Sequence, residues 1–469
     1  MKTLHLNSIQ MKLHCLVVAL AAVAFAAPAA PAPKVVSGSS VKWHRGSERF
    51  VIRATNAPLA SILSEMSRQT GWEILTLQKL NERISVSINN EKTVDALKIL
   101  LDDYVYTLLP NSSKRTRLSI YRNNVSEAIV LIAPSPEPSK IITNEIAVVL
   151  KPGTDPDFLA SQIKAKVIGK IPRMNAYRFQ FEDAIDAIAA KTILENNPAV
   201  TTIDSVYQVP RPDDGDFVGQ FAVPPFQLKI PQAGASSGLL VALIDTGVQS
   251  SAVSFPDFLL PSVNIVGQPD LPNDRPTHGT VMTETLLRGI SQANAGSTAS
   301  QIRILPIDVY GNQERATSFD IADGIYQAIA AKAQIINLSL GSPSESKLVH
   351  NMIKTGTQNG IVFIASAGNE PTTIPNFPAA HTEVYAVTAS DSKGNLAYYA
   401  NRGSFVDLIA PGVSPIRFFG KPFISVGTSA SAAYVSGQIA GLSVQSGKKP
   451  QQVGSAMVNI IGFKPPTKP

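Results

Sequence analysis

The sequence predicts an α/β protein, with a doubly wound parallel sheet in the C-terminal half and two smaller α+β units before it. Three observations carry that expectation. Leu239-Leu-Val-Ala-Leu-Ile244, Ile335–Leu340 and Ile361–Ala365 are continuous apolar runs, which mark strands buried on both faces of a parallel sheet. Helical patterns lie between them, the alternation expected of parallel crossover units. Two Pro-rich breaks, Ala133–Ser139 and Pro210–Asp216, divide the chain into units of roughly 90, 70 and 250 residues, each of domain size.

Composition narrows the classes. A chain of 469 residues exceeds one ordinary core. Its 44% hydrophobic and 16% charged residues are those of a globular protein. Residues 1–26 read as a secretory signal: Lys12 precedes the apolar stretch Leu16–Phe25, and Ala24-Phe25-Ala26 is a cleavage pattern. That stretch is too short for a membrane span, and the mature chain is expected to have none. Removing Lys2 and Lys12 lowers the net charge from +6 to +4. No Lys/Arg run with interleaved aromatics points to nucleic acid. The single cysteine, Cys15, lies in the signal. Disulfides, cysteine nucleophiles and Cys-ligated zinc are therefore not expected after cleavage.

Residues 27–41, rich in Ala, Pro and Ser, read as a linker. The first unit, 42–124, starts with a strand at Phe50–Arg53. Pro58 opens a helix with Leu59, Ile62, Leu63 and Met66 on one face, and Gly71 stops it. Ile84, Val86 and Ile88 alternate as a strand, and Thr93 caps a helix that turns Val94, Leu97, Leu100 and Leu101 inward. Tyr104–Leu108 and Thr116–Tyr121 form a closing hairpin. The pattern Ala-Pro-Leu…Gln-Thr-Gly-Trp…Val-Ser-Ile…Thr-Val-Asp-Ala-Leu resembles the short N-terminal domain of secretins and TonB-dependent receptors. That resemblance implies an envelope or secretion-system partner and a periplasmic or secreted location in a two-membrane bacterium.

A Pro-rich linker, 125–139, leads to the second unit, 140–210. Strand Glu145–Leu150, helix Asp157–Ala165, strands Val167–Ile171 and Ala176–Phe181, helix Ala184–Leu194 and strand Val200–Ile203 follow the βαββαβ order of a ferredoxin-like split sheet. The string from Val148 to Val209 resembles the prodomains of subtilisin-like proteases. This implies an intramolecular folding template and inhibitor, with Asp204–Pro210 as its inhibitory tail.

After a processing linker, 211–221, the third unit, 222–469, carries the chemistry. Asp245-Thr-Gly, His278-Gly-Thr, Ala367-Gly-Asn369 and Gly427-Thr-Ser429 occur in that order. An acid, a base and a hydroxyl beside small neighbours suit nucleophilic serine catalysis. The apolar run before Asp245 puts it at the C-terminal end of a buried strand, where open α/β sheets place their sites. Ser429 begins an apolar helix, Ala430–Leu442, whose dipole favours negative charge there. Together the blocks resemble the subtilisin-like serine proteases from Ala222 to Gly462. The resemblance implies a polypeptide substrate, Ser429 as nucleophile, His278 as general base and Asp245 as its orienting acid. Asn369 is implied as the oxyanion donor. Ser339, Leu340 and Gly341, with Ala367 and Gly368, are implied to pair with the substrate backbone and wall the first specificity pocket.

Several flanks depart from that pattern. Val281-Met-Thr-Glu284 follows the histidine block, and Ala430-Ser-Ala-Ala433 follows the nucleophile, without the usual proline. Glu284 stands near His278 in sequence, either solvated or able to raise its pKa. No metal ligand or cofactor is assigned. A structural calcium is left open, with Asp257, Asp270 and Asp274 read as solvated loop carboxylates. The expected protein is an exported serine endopeptidase made as a self-processing zymogen, acting through an acyl-enzyme on Ser429 and cleaved near Val209–Gly219. The altered flanks motivate an alternative: a non-catalytic periplasmic binding or secretion-associated protein on a protease scaffold.

Overall fold

The computed structural model describes residues 38–464, except 77–81, 111–115, 123–140, 213–215, 218–222, 229–237, 295–300 and the single positions 45, 103, 255 and 398. The signal expected at 1–26 and the linker expected at 125–139 lie outside the described residues.

The first unit builds two three-stranded sheets. β1 (Gly38–His44) pairs antiparallel with β2 (Arg49–Pro58), and α1 (Leu59–Thr70) follows. Gly71 takes φ 74°, the left-handed conformation that lets a helix end on glycine. β3 (Glu73–Thr76), β4 (Arg83–Lys92), α2 (Thr93–Leu100), β5 (Tyr104–Pro110) and β6 (Thr116–Arg122) complete it. Two expectations change. β1 takes in residues 38–41 of the supposed linker, because Ser40 and Val41 pair with Arg53 and Ile52. The Ser-rich stretch shows no hydrophobic alternation that would have revealed this. Thr93 is not a side-chain cap: it is the first residue of α2, and its hydroxyl donates to the Glu48 carbonyl at 2.8 Å.

The second unit runs β7 (Ile141–Leu150), α3 (Pro156–Gln162), β8 (Lys166–Ile171), β9 (Ala176–Gln180), α4 (Ala184–Glu195) and β10 (Val200–Pro210). Its strand order β10-β7-β9-β8 is the split-sheet arrangement. Asp155 and Asp183 cap the two helices through the N–H groups of Asp157 and Phe158, and of Ile185 and Asp186. The period-two alternation of a strand sends residues to both faces. Ile146, Val148, Tyr177 and Phe179 pack with residues of α3 and α4. Ala147, Ile171, Ala176, Val206 and Val209 join the core of the third unit. β10 outruns the strand expected at Val200–Ile203 by seven residues. Asp204, Ser205 and Tyr207 pair with β7, and the end of β10 pairs with β15 (Arg315–Thr317), Val209 opposite Ala316, so the tail Asp204–Pro210 joins the second unit's sheet to a strand of the third. β11 (Asp216–Phe217) follows within the linker.

The third unit is a seven-stranded sheet in which every pairing is parallel. Its strands are β12 (Leu239–Asp245), β13 (Val263–Asn264), β14 (Ile302–Asp308), β16 (Ile335–Leu338), β17 (Val362–Ser366), β18 (Val384–Ser390) and β19 (Leu408–Pro411). The order β13-β14-β12-β16-β17-β18-β19 puts β12 at an interior position, which is why its run is apolar throughout. α6 (Ser318–Ala330) and α7 (Lys347–Gln358) lie between this sheet and the second unit. α5 (His278–Asn294) and α8 (Thr428–Ser446) pack in the core on its other face, with α9 (Pro450–Ile461) beyond. α5 and α8 touch backbone to backbone: a Cβ on Gly437 would collide with the Leu286 carbonyl, and one on Gly289 with the Tyr434 carbonyl. β20 (Val413–Phe418) and β21 (Lys421–Val426) form a hairpin leading into α8, and β11 pairs with β21. Among the described residues no helix is long and apolar enough to cross a membrane.

Candidate active site

Asp245 ends β12, and His278 begins α5. Thirty-three residues apart in the chain, they meet with His278 Nδ1 2.7 Å from Asp245 Oδ1. Both are buried, at 0% and 4% exposure, so the contact is shielded from water and is stronger than a surface pair. The same Asp245 oxygen accepts from the Thr246 N–H at 2.7 Å. With Nδ1–H donated to the aspartate, Nε2 of a neutral ring is left as the acceptor.

The small neighbours have visible reasons. Gly279 N–H donates to Thr246 Oγ1 at 2.8 Å, and a Cβ at Gly279 would strike the Thr246 carbonyl. The two motifs therefore lie backbone against backbone. A cluster that motif reading missed locks them. Thr277 Oγ1 donates to the Gly247 carbonyl at 2.6 Å, while Gln249 Oε1 accepts from Thr277 N–H at 2.8 Å and from Thr280 Oγ1 at 2.7 Å. Thr280 was visible inside its block. Gln249 carries no motif signal, because its role appears only when the loop after β12 meets the start of α5.

Ser429 is the second residue of α8, 9% exposed, and its hydroxyl donates to the Ser339 carbonyl at 3.2 Å. Ser339 Oγ returns a bond to the Ser429 carbonyl at 3.1 Å and accepts from Asn337 Nδ2 at 2.8 Å. Asn337 Oδ1 in turn accepts from Ser436 Oγ, one helical segment further along α8. This buried chain of side chains fixes α8 on the end of β16. Asn369 lies exposed at the surface. Its Oδ1 accepts from Thr428 N–H at 2.8 Å and from Thr428 Oγ1 at 3.0 Å, which leaves the amide NH₂ as its donor side. A Cβ on Gly427 would stand 2.9 Å from Asn369 Nδ2, so glycine there keeps the amide in place.

The strand ends divide. Ser339 and Leu340 are buried, Leu340 within the core shared with the second unit. Gly341 packs on Asn376, where a side chain would not fit. Ala367 and Gly368 give their carbonyls to Asn401, at 2.8 Å from its Nδ2 and 3.0 Å from its N–H, and Gly368 N–H donates to Thr428 Oγ1 at 3.0 Å. Thus both pairs of strand ends abut the first turn of α8.

Glu284 is neither solvated nor turned toward His278. It is fully buried on α5 and accepts from the Ser254 N–H and, at 3.1 Å, from Ser254 Oγ. Burial raises its pKa above the usual carboxylate range. Six positions along a helix carry it well round from His278. Asp308, paired with Asp245 in the sheet, accepts from the N–H groups of Tyr310 and Gly311, each at 2.9 Å. Burial, with the Asp245 charge adding to it, raises the Asp308 pKa. Asp257, Asp270 and Asp274 are exposed.

An acid–imidazole pair at the end of a parallel sheet, with a serine starting the helix packed against it, agrees with the comparisons to known proteins. Residues 236–462 match the Subtilase family, and residues 128–204 match the Fervidolysin N-terminal prodomain. Residues 236–462 form a subtilase domain. Thermitase of Thermoactinomyces vulgaris is 29% identical to the chain over 242 residues, covering 50% of this chain and 86% of that one. The major intracellular serine protease of Bacillus subtilis (strain 168) is 29% identical over 232 residues, covering 45% and 72%. Among solved structures, fervidolysin from Fervidobacterium pennivorans superposes with a TM-score of 0.52 at 17% identity, covering 66% of this chain and 56% of that one; this likeness speaks for the fold. The chain is a serine endopeptidase with a subtilase domain and a fervidolysin-like prodomain before it.

Proposed function

We propose that the chain is an exported, self-processing zymogen whose subtilase domain hydrolyses peptide bonds through an acyl-enzyme on Ser429. The observation that carries the catalytic assignment is the buried 2.7 Å contact between His278 Nδ1 and Asp245 Oδ1. Ser429 Oγ releases its bond to Ser339, attacks the scissile carbonyl carbon and gives its proton to His278 Nε2. Asp245 holds the ring and stabilises the imidazolium. The oxyanion formed receives hydrogen bonds from Asn369 Nδ2 and the Ser429 N–H. Collapse expels the amine, which takes the proton from His278; water then repeats the sequence and frees the acid. Ser339–Gly341 and Ala367–Gly368 flank Ser429 and act as the edges to which substrate backbone pairs.

The linker supports self-processing. Arg211 N–H donates to the Glu314 carbonyl at 2.9 Å, and Asp216–Phe217 pair with β21, the strand that feeds α8. Anchoring at Arg211 and at Asp216–Phe217, the latter on the strand that feeds the nucleophile's helix, supports cleavage between Val209 and Gly219. The apolar leader with its Ala-Phe-Ala site supports export, and the first unit's resemblance supports docking to an envelope or secretion partner.

The test expresses the full chain beside Ser429→Ala. The wild type alone is expected to yield a fragment whose new N-terminus, read by mass spectrometry, falls within 209–219. No fragment from either, with no labelling by a serine-directed phosphonate, overturns the catalytic reading. Equal cleavage of both overturns self-processing.

A further inference from the structure

A second cluster lies away from Asp245 and His278. Beyond the leader the chain has four histidines, His44, His278, His350 and His381, and two of them meet. His350, on the first turn of α7, and His381, in the turn before β18, stack with centroids 3.8 Å apart and planes 17° apart. Glu345, just before α7, brings Oε1 to 3.4 Å from His350 Nδ1 and 3.9 Å from His381 Nδ1. At the far edge of the His350 ring, Nε2 lies 3.1 Å from Glu383 Oε2. Among the described residues, Glu345, His350 and His381 are a group whose donor atoms all fall within 4.8 Å of one another.

We propose that Glu345, His350 and His381 form a zinc site, with Glu383 as the outer partner of His350. The donor set decides the metal. Two imidazole nitrogens and one carboxylate suit zinc, whereas calcium takes six to eight oxygens. Zinc bonds of about 2.0–2.1 Å in a tetrahedron separate ligand atoms by about 3.4 Å. The Glu345–His350 separation already matches, and the Glu345–His381 separation exceeds it by half an ångström. Glu383 accepts the Nε2 proton of His350, which leaves Nδ1 unprotonated and facing Glu345. This carboxylate–histidine arrangement is the one that orients metal-bound imidazoles.

His381 supplies the independent observation. Its Nε2 is buried with no hydrogen-bond partner from the protein, and the ring lines a cavity of about 20 Å³ together with Ser342, Ser344 and Ser346. A His381 that gives Nδ1 to a metal carries its proton on Nε2, and the ring borders a largely apolar space, large enough for one water, whose lining includes three serines. One adjustment is required. A metal lies in the plane of each ring it binds, and stacked rings run their lone pairs side by side. The His350 ring must therefore turn about χ2, so its separations from Glu345 and Glu383 are those of the starting arrangement, and both carboxylates must follow the ring. His350 is the freer of the two, its side chain 21% exposed against 2% for His381, and the Glu345 and Glu383 side chains are 51% and 20% exposed. Three protein ligands leave the fourth position to water.

The experiment uses the full chain carrying Ser429→Ala, stripped with chelator and titrated with zinc chloride by calorimetry. Bound metal is counted by elemental analysis, and cobalt is substituted to read coordination from its visible spectrum. The expected result is one zinc per chain, unaffected by excess calcium, with a four-coordinate cobalt spectrum. His350→Asn and Glu345→Gln should each weaken binding at least tenfold, and Glu383→Gln by about tenfold. His350 and Glu345 are partly exposed, so these variants are expected to melt like the parent even if a His381 variant does not fold. Absence of stoichiometric zinc overturns the proposal. So does binding that survives His350→Asn and Glu345→Gln, or that is lost instead with His278→Ala.

Discussion

Asp204 tests how the prodomain is held to the subtilase domain. It projects from β10, 7% exposed, and its Oδ2 accepts from Ser346 Oγ at 2.6 Å and from Leu348 N–H at 3.1 Å. Ser346 itself caps α7 by accepting from Val349 N–H at 3.2 Å. A prodomain carboxylate thus sits on the N-terminus of a protease helix, where the dipole favours it. Asp204→Ala removes both bonds. Hydrogen bonds to a charged group are worth about 1.5–3 kcal/mol net, or ~10- to 150-fold in the docking equilibrium. Burial works the other way: it is the largest influence on the Asp204 carboxyl and raises its pKa against the two bonds. The ion is therefore costly to bury, and the lower end, about tenfold, is expected. Amide hydrogen exchange on the full-length Ser429→Ala chain measures it. Tyr207 N–H, bonded to Ser318 Oγ, and Arg211 N–H, bonded to the Glu314 carbonyl, report undocking; Leu348 N–H does not, because the substitution deletes its acceptor. These two should exchange about ten times faster in Asp204→Ala, while Ile336 and Ile364 in the central sheet keep their rates. Unchanged reporters would refute the argument, and so would equal acceleration of the central sheet, which would make Asp204 a determinant of the whole fold.

Three further outcomes are expected. Asn369→Ala should lower kcat by about 10²–10³ with a smaller change in KM, measured on a chromogenic peptide, since the lost donor acts on the oxyanion. Gly437→Ala should cost about 1–3 kcal/mol in chemical denaturation and depress activity. Its methyl group meets the Leu286 carbonyl and pushes apart the helices that carry His278 and Ser429. Asp308→Asn should raise Tm at pH 8. The native pKa of Asp308 is raised, so the folded state binds this proton more tightly than the unfolded chain. The ionised group therefore costs stability above its native pKa, and the cost fades as pH falls into the carboxylate range. The gain from asparagine, whose Oδ1 still accepts from Tyr310 and Gly311, should shrink with it; calorimetry at pH 8 and pH 4 reads the difference.

Much of this fold is local in the chain. The runs Leu239–Ile244 and Ile361–Ala365 are apolar throughout, and the one from Ile335 is broken only by Asn337 and Ser339, because both faces of the sheet are covered, and that burial leaves its mark within six residues. Asp245, His278 and Ser429 were readable for a related reason: each keeps a glycine where there is no room for a Cβ, Gly247 against Pro269 and Leu271, Gly279 against the Thr246 backbone and Gly427 against the Asn369 amide. Contacts between distant segments left no such mark. β1 is held by pairing with β2, and its serines carry no alternation. Gln249 acts only where the loop after β12 meets α5.

The set of elements and the order of the reacting groups are thus legible along the chain, since periodicity, apolar runs and glycine spacing are written over a few consecutive residues. The tertiary structure alone decided which side chains share a charge or a proton. Glu284 stands six residues from His278 yet bonds Ser254, whereas Asp204 reaches across 142 residues to Ser346. His350 and His381 come face to face from separate elements. Electrostatic partnership depends on distances of a few ångströms in space, and separation along the chain does not report it.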